Sequence, residues 1–442
     1  MTGLLSKPVR GIKGTATVPG DKSISHRSLM FGALAEGVTT VTGLLEGEDV
    51  LRTAAALTAM GAHIETPAQA GTWRIRGLGS AQLTSPREMV YLGNSGTSAR
   101  LLMGLAGGYA LNAIFSGDDS LSKRPMGRVI KPLSQMGVKF ESESGDKMPL
   151  KIIGSGELSP IHYTLPVASA QVKSAILLAG LHAKGKTVVV EPSPTRDHTE
   201  RMLRFLGADI VSETKSDGSN VVTLTGFPKL TARDFAVPSD PSSAAFLTVA
   251  ALITKDSDVL IPNVSVNILR AGIYTTLKEM GGDITFENPR DASGEPVADI
   301  RVRTSALKGV TVPAERVPSM IDEFPVLSVA ASFATGDTHM SDLSELRVKE
   351  SDRLAAIAKG LALAGVKADM GKDTLTVHGT GRAPKGGCKV MANLDHRIAM
   401  SFLVMGLASE QPVSIDDAET IGTSFPGFAD LMNSLGAQIA AA

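Results

Sequence analysis

The triplet Met60-Gly61-Ala62 returns along the chain as Met136-Gly137-Val138, Leu206-Gly207-Ala208, Met280-Gly281-Gly282, Ala364-Gly365-Val366 and Leu435-Gly436-Ala437. The glycines stand 76, 70, 74, 84 and 71 residues apart, so the 442 residues divide into six similar units. Each triplet follows an amphipathic segment and precedes a strand-like one, the pattern of a helix closed by a glycine that leads into a β-strand. A short run of β-formers precedes each of those helices, at Thr39 to Thr42, Ala113 to Ser116, Thr187 to Glu191, Asp258 to Pro262, Thr338 to Ser341 and Pro412 to Ile415. Each unit is therefore expected to be mixed α/β.

A second helix per unit is expected from LMFGALA, LLMGLAGGYA, AILLAGLHA, AAFLTVAALI, PVLSVAASFA and AMSFLVMGLA. These segments are apolar on every side, so each should be enclosed by protein, with the sheets outside. Their many Ala and Gly residues would let helix axes approach closely. A polar cluster stands before each one: Asp21-Lys22-Ser23, Asn94-Ser95-Gly96-Thr97, Ser169-Ala170-Gln171, Ser239-Asp240-Pro241-Ser242, Asp322-Glu323 and Asp395-His396-Arg397. The residue types are those of helix N-caps, and for Ser239 to Ser243 capping is a sufficient explanation. Capping does not account for the cations in or near these clusters: Lys22, Arg27, Arg100, Lys123, Arg124, Arg196, Arg347, Lys349, Arg353 and Arg397. A helix N-terminus offers free N–H groups and a partial positive charge. With cations added at one phase of a repeat, the pattern implies a site for anionic ligands, more than one of them. Asp322 and Glu350 lie in the same loops, as acid–base groups or as partners in local ion pairs.

Composition excludes other classes. Lys+Arg 44 against Asp+Glu 45 shows no basic surplus for nucleic acid, and 43% hydrophobic residues suffice for a large core. Cys388 is the sole cysteine, so neither an internal disulfide nor a Cys-rich zinc site is expected. MTGLLSKPVRGIKG lacks the apolar core of a signal peptide, and a cytoplasmic protein is expected. The longest strongly apolar stretch, Ala244 to Ile253, is half of the roughly 20 residues a membrane-spanning helix needs. There is no GxxxxGK[ST] loop, and Gly77-Leu78-Gly79 is an incomplete dinucleotide fingerprint. His26, His198 and His396 lack HExxH spacing, so no metal is expected, and no GxSxG elbow is present.

Four motifs spread over the chain, Gly20-Asp21-Lys22-Ser23-Ile24-Ser25-His26-Arg27, Gly93-Asn94-Ser95-Gly96-Thr97-Ser98-Ala99-Arg100, Arg347-Val348-Lys349-Glu350-Ser351-Asp352-Arg353 and Asp395-His396-Arg397-Ile398-Ala399-Met400, closely resemble the 5-enolpyruvylshikimate-3-phosphate synthase family. Ser169-Ala170-Gln171-Val172-Lys173 and Arg196-Asp197-His198-Thr199-Glu200 resemble its class II branch. The resemblance implies an inside-out α/β barrel of six repeats, three per domain, with buried helices and outer sheets. It places one domain at 21–239 and the other at 1–20 plus 240–442, and it implies a monomer without metal or organic cofactor. The implied reaction moves the enolpyruvyl group of phosphoenolpyruvate to the 5-hydroxyl of shikimate 3-phosphate. By matching positions, Lys22, Ser23, Arg27, Ser169, Gln171, Asp322 and Lys349 would hold the shikimate ligand, with Thr195 and Arg196 near its phosphate. Lys22, Asn94, Gly96, Arg124, Gln171, Arg353 and Arg397 would surround phosphoenolpyruvate. Asp322 and Glu350 look like the proton carriers, with Lys22 stabilising charge. The chain departs from many relatives at Ala170, which removes a serine hydroxyl, and in Ile421-Gly422-Thr423-Ser424-Phe425-Pro426, which lacks a lysine. The nearest enzyme alternative is a UDP-N-acetylglucosamine enolpyruvyl transferase. From another class comes a non-catalytic anion-binding repeat protein.

Overall fold

The computed structural model describes residues 3–69, 71–79 and 82–442, the side chains of 66–69 aside. Six apolar helices, one per repeat, are Lys22–Leu34 (α1), Gly96–Gly107 (α2), Ala170–Gly180 (α3), Pro241–Ile253 (α4), Phe324–Phe333 (α5) and His396–Gly406 (α6). They are buried as their sequences demand: every residue of α6 is buried, and all of α4 except Ile253. Glycine lets them pack closely. A Cβ on Gly104 of α2 would fall 2.1 Å from the Ala175 carbonyl oxygen of α3, so only hydrogen fits there.

The amphipathic helices are Glu48–Ala59, Gly127–Met136, His198–Phe205, Gly272–Glu279, Arg353–Leu363 and Phe428–Ser434. The six glycines of the repeat follow them at positive φ, 97°, 112°, 99°, 94°, 80° and 107° in order. Side chains rarely adopt that conformation, which is why glycine recurs where the chain turns from helix to strand.

The described residues group into two units. One comprises the chain up to Pro19, Pro238–Asp291 and Pro296–Ala442; the other comprises Gly20–Val237 and Ala292–Glu295. Each has its own apolar core and three sheets.

In the second unit the sheets share one plan. A central strand, Val38–Thr42, Asn112–Ser116 or Lys186–Glu191, pairs antiparallel with Thr72–Arg76, Leu150–Ile153 or Asn220–Thr225. On its other side it pairs parallel with a short edge: Phe235–Ala236, Val90–Tyr91 or His162–Thr164. The edge of the first sheet thus comes from the end of the third repeat, almost 200 residues downstream.

In the first unit the sheets around Asp258–Ser265 and Val413–Ile415 follow the same plan with strands from the N-terminal segment, whereas Thr335–Met340 is an edge of a three-stranded sheet and meets Lys308 and Thr311 in isolated parallel bridges. Lys13–Thr15 supplies the parallel edge of the first of these sheets, and Leu4–Ser6 is an inner strand of the last. All six strand orders are open, so the expected barrel is realised as six separate sheets, with no closed barrel among the described residues. The two- and three-residue edge strands end each ladder instead of carrying it into a neighbouring sheet. No described helix is long and apolar enough to cross a membrane.

Candidate active site

Five of the six buried helices begin at side-chain caps, which place the predicted polar clusters at helix N-termini. Asp21 accepts from Ile24 N at 2.8 Å, Ser95 from Ser98 N at 3.1 Å, Ser169 from Val172 N at 3.5 Å, Asp240 from Ser242 N at 2.7 Å and Asp395 from Arg397 N at 3.0 Å. For Ser239 to Ser243 capping is the observed role, with Asp240 and Ser242 also bonded to the buried Arg270.

In the second unit the predicted cations sit just past these caps. Lys22, at the first residue of α1, forms an ion pair with Asp49 of the outer helix Glu48–Ala59. Arg27, one turn on, is buried and donates from Nε to Thr199 Oγ1 at 2.7 Å, from Nη2 to Ser174 Oγ at 2.7 Å and from Nη1 to the Ser23 carbonyl at 2.9 Å. Burial is the main reason its pKa is pushed down, to about 10, with Glu200 and Asp21 opposing the shift; the group stays charged at neutral pH. The same burial, reinforced by Lys22 and Arg27, pushes His26 well below the ordinary histidine range. His26 therefore adds no charge to the cluster and bonds Thr53 Oγ1 through Nδ1 at 2.7 Å.

Around α2, Arg124 donates to the Asn94 side-chain oxygen, to its carbonyl at 3.3 Å and to Ser120 Oγ at 3.0 Å. Asn94 in turn donates to Asp118 at 3.0 Å, which fixes its amide orientation. Gln171 of α3 accepts from Arg100 at 2.8 Å and donates to Thr97 Oγ1 at 3.1 Å. Gly96 starts α2 under both guanidinium groups: a Cβ there would lie 2.8 Å from Arg100 Nη1 and 2.9 Å from Arg124 Nη1. Thr195 is buried and bonds Glu191 through its hydroxyl, and Arg196 follows it in the loop before His198–Phe205.

In the first unit the predicted residues gather around Arg353, at the start of the helix Arg353–Leu363. Its guanidinium is buried and meets three carboxylates: Asp395 at 2.8 Å from Nε, Asp322 at 3.1 Å from Nη1 and Glu350 at 2.5 Å from Nη2. Burial disfavours its charge, but Asp395, Glu350 and Asp322 together more than offset that and raise its pKa above the usual arginine value. Lys349 Nζ lies 3.5 Å from Asp322, and Arg397 Nη1 lies 3.4 Å from the Asp322 carbonyl oxygen. Arg353 was expected among the residues that surround phosphoenolpyruvate. Four of its five N–H donors point at carboxylates, so it also holds Asp322 and Glu350.

Arg347, one of the cations singled out in the sequence, is turned to structural work, donating to the Lys372 and Gly371 carbonyls at 2.6 and 2.8 Å. Sequence reasoning missed Asp49, Ser174 and Thr199, which hold Lys22 and Arg27. The available signal was weak: an acid in the first turn of an outer helix, and hydroxyls at positions read only as apolar helix or motif filler.

The EPSP synthase (3-phosphoshikimate 1-carboxyvinyltransferase) family model matches residues 6–432. The chain is 58% identical over 436 residues to a 3-phosphoshikimate 1-carboxyvinyltransferase of Paramagnetospirillum magneticum, covering 99% of this chain and 98% of that protein. It is 57% identical to one of Chelativorans sp., covering 98% and 97%. The solved structure of EPSP synthase from Acinetobacter baumannii resembles it with a TM-score of 0.87 and 46% identity over the full length of both chains.

Proposed function

The chain belongs to the EPSP synthase family, and from that premise we propose how its own residues carry the transfer of the enolpyruvyl group from phosphoenolpyruvate to shikimate 3-phosphate. The family match sets aside both rivals, the UDP-N-acetylglucosamine enolpyruvyl transferase and the non-catalytic anion-binding repeat protein.

The observation that carries the division of labour is the charge arrangement. Asp322 and Glu350 stand on one buried guanidinium in the first unit, while the second unit presents Lys22, Arg27 and Arg124 beside helix N-termini. Ser23, Arg27, Ser169, Thr195 and Arg196 hold shikimate 3-phosphate, with Asp322 and Lys349 at its hydroxyl side. Asn94, Gly96, Arg124, Arg353 and Arg397 hold phosphoenolpyruvate, and Lys22 and Gln171 serve both ligands. Both ligands carry a carboxylate and a phosphate, and arginine pairs compensate and orient such groups.

One carboxyl group gives a proton to the methylene carbon of phosphoenolpyruvate. The other takes the proton of the 5-hydroxyl as its oxygen bonds to C2. In the tetrahedral adduct the roles reverse: a proton leaves the new methyl group, the double bond re-forms and phosphate departs. Lys22 offsets the negative charge that builds up at the reacting oxygens. The proposal needs no metal or organic cofactor, since phosphate is already a leaving group. A monomer in the cytoplasm completes it.

The test is Glu350→Gln, which keeps the bond to Arg353 and removes the titrating group. Phosphate release is expected to fall about 10²–10⁴-fold, the range of general acid–base catalysis, with the melting temperature little changed. Near-normal turnover by the folded variant would remove Glu350 from this role.

A further inference from the structure

Two sequence motifs of the second unit, Ser169 to Lys173 and Arg196 to Glu200, end in residues that the reaction does not use. In the fold those ends meet. Lys173 Nζ lies 2.7 Å from Glu200 Oε1, 3.0 Å from Glu191 Oε2 and 3.3 Å from the Thr195 carbonyl oxygen. All three charged side chains are buried, Lys173 and Glu191 with no exposure and Glu200 with 1%. Glu191 also accepts from the Thr195 hydroxyl and, at 2.9 Å, from Asn220 Nδ2. The next turn continues the network, since Thr199 Oγ1 donates to Ser174 Oγ at 2.8 Å and both hydroxyls receive Arg27.

We propose that Lys173, Glu191 and Glu200 are positioning residues that lock the start of α3, the Thr195–Arg196 loop and Arg27 into one acceptor-phosphate seat. The physical case is that a buried ion cluster is a poor way to gain stability, because desolvation of the charges cancels most of their attraction. Its geometry is nevertheless specific, since Glu191 bonds Lys173, Thr195 and Asn220 together and Lys173 also reaches Glu200. The cluster lies directly behind the seat: Thr195 accepts from the ammonium at its carbonyl and donates its hydroxyl to Glu191, and its neighbour Arg196 extends the loop. One ammonium facing two carboxylates leaves an excess negative charge. Burial, and then repulsion from Glu191 and Asp197, push the Glu200 carboxyl above its ordinary range against the pull of Lys173.

The inference rests on the proposed placing of Thr195 and Arg196 at the shikimate phosphate, so the experiment carries a control for that placing. Steady-state constants for both substrates are measured for Arg196→Ala, for Asn220→Leu and for the charge-free triple variant Lys173→Met/Glu191→Gln/Glu200→Leu. Asn220 reaches the seat only through Glu191, and its change removes no charge. For Asn220→Leu and the triple variant, KM for shikimate 3-phosphate is expected to rise about ten- to hundredfold, the size of one lost hydrogen bond to a charged group, while KM for phosphoenolpyruvate and kcat stay within about threefold. Equal changes in both KM values, or none in folded Asn220→Leu, overturn the positioning role. Should the triple variant not fold, Asn220→Leu decides alone. An unchanged acceptor KM in Arg196→Ala overturns instead the placing of the phosphate.

Discussion

Each unit buries an arginine near the start of a helix, Arg27 in the apolar helix α1 and Arg353 at the head of an amphipathic helix, and surrounds it differently. Arg27 of the second unit ends on two hydroxyls and a backbone carbonyl, so its hydrogen bonds leave the charge unneutralised beside a helix N-terminus. Arg353 of the first unit ends on three carboxylates. In the proposed function the first arrangement is an anion seat, and the second is a stand for two acids. A cation in a repeat therefore says nothing about its role until the chemistry of its acceptors is known.

Breaking the stand should cost most. Arg353→Met leaves the buried Asp395 without its cation, beside the half-buried Asp322 and Glu350, and unfolding free energy should fall by about 3–5 kcal/mol. Arg27→Met strands only neutral groups and should cost about 1–3 kcal/mol while raising KM for shikimate 3-phosphate. Denaturant titration of both variants checks the difference; equal losses would erase the contrast between seat and stand.

A pH titration sharpens the contrast between the units. His182 of the second unit, packed on Tyr109 with ring centroids 4.3 Å apart, is pushed down to about 4 by burial. Between its unfolded value near 6.5 and about 4 the unfolded chain binds the extra proton. Its stabilising contribution is therefore present above pH 6.5 and is lost as pH falls toward 4, by roughly 2–3 kcal/mol. His378 of the first unit has the opposite sign. Its bonds to Asp369 and Asp337, each 2.8 Å, raise its pKa, so its contribution is present below pH 6.5 and is lost as pH rises through the raised value. Replacing His182 with Phe should flatten the acid limb of the stability curve, and an unchanged limb would assign it elsewhere.

The smallest effect is expected at Gly96→Ala. The new methyl group meets only the ends of two flexible arginines, so stability should stay within about 1 kcal/mol while KM for phosphoenolpyruvate rises. A parallel rise in KM for the other substrate would show that the displaced guanidiniums serve both ligands.

Much of this was legible in the residue order. The capping types Asp21, Ser95, Ser169 and Asp395, the apolar helices behind them and the repeat glycines are local signals, each set by the conformation of a few neighbouring residues. The proposed proton carriers Asp322 and Glu350 and the proposed substrate residues were named by motif. Their holders were not, because Thr199 lies 172 residues from Arg27 and its hydroxyl looks like any other until the chain is folded. Arg347 was read as part of the anion site and is bonded to backbone carbonyls, since cations near helix starts look alike in sequence whether they face ligand or loop.

By itself the amino-acid order determined the six-fold α/β repeat, the buried helices and the family, because periodicity, glycine at positive φ and capping chemistry act over a few residues. Only the tertiary structure decided that Leu4–Ser6 completes the last sheet, that Lys22 pairs with Asp49, and that Lys173 and Glu200 close on one another. Such partners are chosen by which strands and helices share a core, and a hydrogen bond or ion pair at 3 Å between distant residues leaves no trace in local composition.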